Sequence, residues 1–253
     1  MRLRDKFTVC VLLYGDYPQL ASRCLQSLVD VIGVDELNIR VGMNQVSPAI
    51  REWVQAWLPS ERVFLSEDDA RKYPMMRRMF YGDAPIETPY TMWFDDDSYL
   101  VRQAGAGPWL QMVEQAMVNA DLIGSIYKMG FQGDQKEFIR RQPWYTGKDP
   151  TQRKSFRFAT GGWWTARTDI LRKYDYPWPD LGHNGGDVML GELCLQQNLR
   201  LRHFNTGVKI NADDNGKESA SKRRGLSNRP YGFYSDNSAA SAVGATQTPP
   251  GAR

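Results

Sequence analysis

Residues 93–100 read WFDDDSYL. The β-rich run Tyr90–Phe94 leads straight into Asp95, Asp96 and Asp97. Two carboxylates held at a strand's carboxyl end form a hard-oxygen pocket for Mg²⁺ or Mn²⁺, and such an ion usually carries phosphate oxygens too. In open α/β sheets, ligands bind just outside these strand ends. A single aspartate after a strand commonly caps a helix or forms a turn. Three adjacent carboxylates repel one another, which disfavours a purely structural role without a cation. The run lacks the glycine and glutamate of an EF-hand loop, and no G-x-x-x-x-G-K-[ST] lies upstream. The expectation is a metal held without a P-loop.

Upstream of the triplet, strand and helix patterns alternate. Phe7–Tyr14 (FTVCVLLY) is a continuous apolar run of strand length, typical of a strand covered on both faces. Gly15, Asp16 and Tyr17 turn the chain, and Pro18 opens a helix to Ile32 with Leu20, Cys24, Leu25 and Leu28 on one stripe. Leu37–Met43 reads as a second strand, and Ser47-Pro48 starts a helix carrying Ile50, Trp53, Val54, Trp57 and Leu58. Arg62–Leu65 is a third strand, Pro74–Tyr81 a helix, and Tyr90–Phe94 the fourth strand. This order predicts an α/β fold: a mixed, mostly parallel Rossmann-like sheet with helices on both faces. No G-x-G-x-x-G follows the first strand, which disfavours an ordinary dinucleotide-binding domain.

The second half is more mixed. Helical spacing runs from Trp109 to Met117, Asp121–Tyr127 and Phe156–Thr165 read as strands, a helix begins near Asp187, and Leu199–Phe204 is a late strand. The expected organisation is one domain over residues 1–213, a basic segment or lid over 214–235, and a disordered Ser/Ala/Gly/Pro-rich tail over 236–253.

Among 253 residues, 42% are apolar and 12% aromatic, ample for a core, and the net charge is only +3. Cys10, Cys24 and Cys194 each lie in apolar segments, the pattern of buried reduced thiols in a cytoplasmic protein. With only His183 and His203, a Cys/His zinc site is disfavoured. No apolar run approaches the ~18 residues of a membrane span, and no signal peptide pattern precedes Phe7.

The order of these pieces resembles the GT-A glycosyltransferases, which transfer sugars from nucleotide-sugar donors. The segment FTVCVLLYGDYPQLASRCLQSL is similar to the first strand and helix of family 2 enzymes, and WFDDDSYL resembles their DxD motif. FATGGWWTAR (158–167) followed by GGDVMLGE (185–192) resembles the Fringe-like enzymes. The resemblance covers roughly residues 7–210. It implies a nucleoside-diphosphate sugar as donor and Mn²⁺ or Mg²⁺ as cofactor. Asp97 is then a metal ligand, Asp95 a contact to metal or ribose, and Asp96 their support. The late histidine ligand of the Fringe-like pattern has no match; VKINADDN (208–215) stands there, with Asn211 or Asp213 as its replacement.

Around this frame, Lys72 and Arg77 suit either the diphosphate or a solvated helix surface. Tyr14, Asp16 and Asn44 suit a nucleotide base or, equally, a core edge and turns. Asp187 suits a general base for the acceptor hydroxyl and also an N-cap, roles that coexist. Gly161-Gly162 allows close approach of a sugar or marks a bulge. On the acceptor side, Trp163, Trp144 and Tyr145 are candidate aromatic platforms, with core packing as the alternative. Residues 128–157 interleave eight cations with aromatics, which makes a nucleic-acid acceptor, such as DNA with hydroxylated bases, a hypothesis beside an ordinary basic surface. A nucleotidyltransferase and a non-catalytic nucleotide-sugar or nucleic-acid binding module are the competing functions.

Overall fold

The computed structural model describes residues 2–102, 107–131, 134–183 and 185–210. The expected basic lid and tail lie outside the described residues. Strands β1 (Phe7–Tyr14), β2 (Ile39–Asn44), β3 (Val63–Ser66) and β4 (Tyr90–Asp95) alternate with helices α1 (Pro18–Ile32), α2 (Pro48–Trp57) and α3 (Lys72–Tyr81). Then follow β5 (Tyr99–Leu100), α4 (Trp109–Val118), β6 (Leu122–Gly130), α5 (Gln135–Arg141), β7 (Ser155–Arg167) and α6 (Thr168–Lys173). Helix α7 (Gly186–Gln196), β8 (Leu201–His203) and β9 (Val208–Lys209) complete the fold.

Seven strands form one sheet in the order β3-β2-β1-β4-β7-β6-β8. Strands β1 to β4 are mutually parallel, β7 is antiparallel to both neighbours, and β8 is parallel to β6. The small antiparallel pair β5–β9 lies apart. Helix α3 begins at Lys72, two residues before the expected Pro74, because the chain enters it through Arg71 at φ +65°. That early start puts Lys72 and Tyr73 on the first turn.

Two apolar layers cover the sheet. One joins Trp93, Trp164, Phe80 and the methionines of α3 to α7; the other joins Phe94, Trp163 and the β1 valines to α1, α2 and α4. Side chains alternate across a strand, so Trp93 and Trp164 face one layer while Phe94 and Trp163 face the other. Both faces are covered, so both tryptophans are buried. The acceptor-side expectation for Trp163 is therefore corrected: it is wholly buried among Phe94, Trp109 and Phe204. Trp144 is corrected likewise, being 3% exposed with its ring 5.1 Å from that of Trp178. Tyr145 is half-buried against the same layer.

Strand β7 breaks register midway. From Gly124 to Ile126, β6 advances two positions while β7 runs from Trp164 to Ala159, five positions. Gly161-Gly162 sits in this irregularity, as a bulge glycine pair would. Residues 163–167 pair with β4, whereas 155–159 pair only with β6 and form a two-stranded arm.

Candidate active site

The carboxyl end of β4, the β7 bulge and the first turns of α3 and α7 meet at one edge of the sheet. The Lys72 ammonium lies 2.6 Å from Asp95 Oδ2 and donates to the Gly161 carbonyl at 3.0 Å. The indole Nε1 of Trp93 donates to the other oxygen, Asp95 Oδ1, at 2.9 Å. Residues 93 and 95 share a face of β4, so this W-x-D contact follows from strand alternation, though the sequence reading passed over it. Across the bulge, Asp187 Oδ2 accepts the Gly161 N–H at 3.1 Å, and Oδ1 accepts the Val188 N–H at 2.9 Å. Asp187 is thus held on both oxygens and remains part-exposed. A Cβ on Gly161 would stand 3.2 Å from Lys72 Nζ and 3.3 Å from Asp187 Oδ2. A glycine leaves the two charged groups room to converge.

Burial sets the electrostatics. Burial pushes the Asp95 carboxyl above its ordinary range, Lys72 pulls it back, and the Asp97 charge raises it further. Burial also raises Asp187, against the Lys72 charge and the backbone N–H bonds that favour its ionised form. One cation thus serves both carboxylates.

Tyr73 is a site residue that the sequence reading missed. It is 3% exposed, and its hydroxyl accepts the Asp187 N–H at 3.2 Å. Its ring lies so close to Gly186 that a Cβ there would stand 2.3 Å from Tyr73 Cζ. This contact fixes the start of α7 and hence Asp187. The only signal in the sequence was its place next to Lys72.

The remaining candidates separate. Asp96 is 6% exposed and accepts the Tyr14 N–H at 3.3 Å, tying the ends of β4 and β1 together. Asp97 is half-buried and accepts from Ser98 Oγ at 3.4 Å. Tyr14 is half-buried and Asp16 exposed at the same edge. Asn44 is corrected as a base contact. It is wholly buried, its Nδ2 donates to Asp69 at 3.0 Å, and its Oδ1 accepts the Ala70 N–H at 2.9 Å. Asp69 in turn accepts the Arg71 N–H at 2.9 Å, so Asn44 shapes the loop that delivers Lys72. Arg77 is corrected too. It pairs with Asp175 at 2.8 Å and donates to the Pro177 carbonyl at 2.9 Å, stapling α3 to the loop before α7.

No known family description matches the sequence, and no curated protein matches it. Solved structures do resemble it. The S. aureus TarS 1-349 structure in complex with UDP superposes with a TM-score of 0.51 at 15% identity, covering 79% of this chain and 57% of that one. A mannosyltransferase, PcManGT from Pyrobaculum calidifontis, in complex with GDP-Man and Mn²⁺, gives 0.50 at 15% identity, covering 79% and 54%. The chain has a GT-A-like fold. It spans a little over half the length of these two structures, and 35% of the longer S. aureus TarS structure, which matches with a TM-score of 0.50. The segment that resembles the DxD motif, Asp95–Asp97, closes β4 at the carboxyl edge of this sheet. Among the described residues no helix is long and apolar enough to cross a membrane, and no group of three His, Cys, Asp or Glu side chains could hold a metal.

Proposed function

We propose that this chain transfers a sugar from a nucleoside-diphosphate sugar to an acceptor hydroxyl. The observation that carries the reading is the convergence of Asp95, Lys72 and Asp187 on Gly161 at the carboxyl edge of a GT-A-like sheet. The resembling structures hold UDP in one case and GDP-Man with Mn²⁺ in another.

Asp97 and Asp95 offer the hard-oxygen donors that Mn²⁺ or Mg²⁺ takes, and the charge of Asp97 already weighs on Asp95. Two protein carboxylates fit an ion that draws its other ligands from phosphate and water. When bound, that ion neutralises the charge developing on the leaving diphosphate. The chain's own residues do the rest. Lys72 and Trp93 hold Asp95 in one orientation, and Asp96 ties β4 to β1 beside it. Asp187, with its carboxyl raised by burial, takes the proton of the attacking hydroxyl, which implies a single displacement with inversion.

The test is release of nucleoside diphosphate from a panel of nucleotide sugars, with Mn²⁺ and with EDTA. Release that requires the metal and falls in Asp187→Asn supports the reading. Donor binding without any release would make the chain a binding module, and pyrophosphate release from nucleoside triphosphates would make it a nucleotidyltransferase.

A further inference from the structure

The β6–β7 arm carries charges that the proposed transfer leaves unused. Lys128 on β6 and Arg157 on β7 are direct cross-strand partners, and both are exposed. Lys154, also exposed, stands beside the Gly130–Ser155 pair two positions further out. Like charges directly opposite on antiparallel strands weaken the pairing. Three other cations of the region are engaged within the fold. Arg153 pairs with Glu192, Arg140 with Asp149 and Glu137, and Lys148 donates to the carbonyls of Leu195 and Gln196. Lys128, Lys154 and Arg157 have no acidic partner among the described residues.

Their orientation is set by their neighbours. Phe156 and Phe158 pack in the layer that includes α7, and a Cβ on Gly191 would meet Phe158. Alternation therefore turns Arg157, with Lys128 opposite it, away from α7. Arg157 lies four residues along β7 from Gly161, at most about 13 Å from the catalytic edge. An extended polyanion whose reacting hydroxyl sat near Asp187 would place its neighbouring charges over these cations.

We infer that Lys128 and Arg157 on the outer face of the arm, with Lys154 at its tip, bind the phosphodiester backbone of an anionic acceptor. The inference rests on the sugar-transfer reading for calling the ligand an acceptor, while the binding itself is measured without turnover.

The probe is a fluorescent single-stranded oligodeoxythymidine, titrated with the full chain by anisotropy across a salt series. The wild type is expected to bind with affinity falling steeply with salt. The triple variant K128Q/K154Q/R157Q is expected to bind at least tenfold more weakly at low salt. Its log–log salt slope should shallow by about 0.7 for each phosphate that the variant no longer neutralises. Lys173→Gln, an exposed cation on α6, should bind as wild type does. Inorganic polyphosphate should compete, since the chemistry recognised is phosphate rather than base; failure to compete overturns the assignment. So does absence of binding, or equal binding by the triple variant, either of which leaves the three cations as guards of exposed strand edges. A protein that releases nucleoside diphosphate yet ignores the oligonucleotide sinks this inference alone. One that binds it but releases no diphosphate sinks only the transfer reading.

Discussion

The Lys72 ammonium lies 2.6 Å from the Asp95 carboxylate, and the same ammonium lowers the proton affinity of Asp187. A single side chain therefore tunes both Asp95 and the proposed base. Replacing it with methionine removes the main offset to burial at each carboxylate. The acid limb of the pH–rate profile, already above the ordinary carboxylate range, should move to still higher pH. The sign follows because the base works only when ionised, and loss of a nearby cation disfavours the charged form. Lys72→Arg should keep the limb near its wild-type position. Rates for both variants from about pH 4 to about pH 9, a span that covers ordinary and raised carboxylates alike, check this.

Asp187→Asn should lower kcat by about 10²–10⁴, the usual contribution of a positioned general base. Donor binding should survive, because the fold of the donor edge depends on Asp95, Lys72 and Trp93. Thermal shift on donor addition should remain while turnover vanishes. A variant that turns over at more than about a tenth of the wild-type rate would remove Asp187 from the mechanism.

Gly186→Ala places a methyl group inside the van der Waals radius of the Tyr73 ring. Neither element can yield easily, because Tyr73 is buried and its own N–H bonds to the Gly182 carbonyl at 3.0 Å. Overpacking of this kind costs about 1–3 kcal/mol. The displaced start of α7 should also lower kcat more than it raises the KM for donor. Combining Gly186→Ala with Tyr73→Ala should restore part of the stability and little of the turnover, since the hydroxyl that accepts the Asp187 N–H is then gone. Chemical melts and kinetics on the two singles and the double separate these effects.

Glu192 is wholly buried on α7 and is held by Arg153 and by Gln196 Nε2, the latter at 2.8 Å. Arg153→Met leaves that carboxylate without its cation. A broken buried pair costs about 3–5 kcal/mol; Arg153 is itself a quarter exposed, so about 2–3 kcal/mol is expected here. That amounts to a fall in Tm of roughly 4–12 °C. Adding Glu192→Gln should recover part of the loss, because the uncompensated charge goes with it.

Much of this arrangement was readable from residue patterns. The apolar run of β1, the proline-initiated α1 and the aspartate triplet closing β4 are local signals, and each fell where its pattern pointed. The candidacy of Asp187 rested on a family resemblance and on the room left by Gly185-Gly186, since 92 positions separate it from Asp95 and no local pattern joins them. What escaped depends on contacts distant in sequence. Asn44 sits at a strand end, as a ligand contact would, but its amide is consumed by a loop 25 residues on. Arg77 shares a helix with Lys72 yet faces the 175–177 loop, because five residues turn a helix by roughly 500° and set the two side chains on different sides. Trp163 read as a sugar platform and Trp144 as a base-stacking aromatic because tryptophan serves as platform as well as core. Coverage of both sheet faces decides between those uses, and that is a property of the whole fold.

The register break in β7 divides that strand into two halves that answer to different constraints. Residues 163–167 are pinned between two neighbours, so a change of length there would carry every buried side chain to the wrong face. The arm beyond the break has only one strand neighbour; its outward positions can exchange charge, while Phe156 and Phe158 tie its other face to the layer under α7. Changes of ligand preference are therefore best sought at the outward positions of the arm, with its buried phenylalanines left intact.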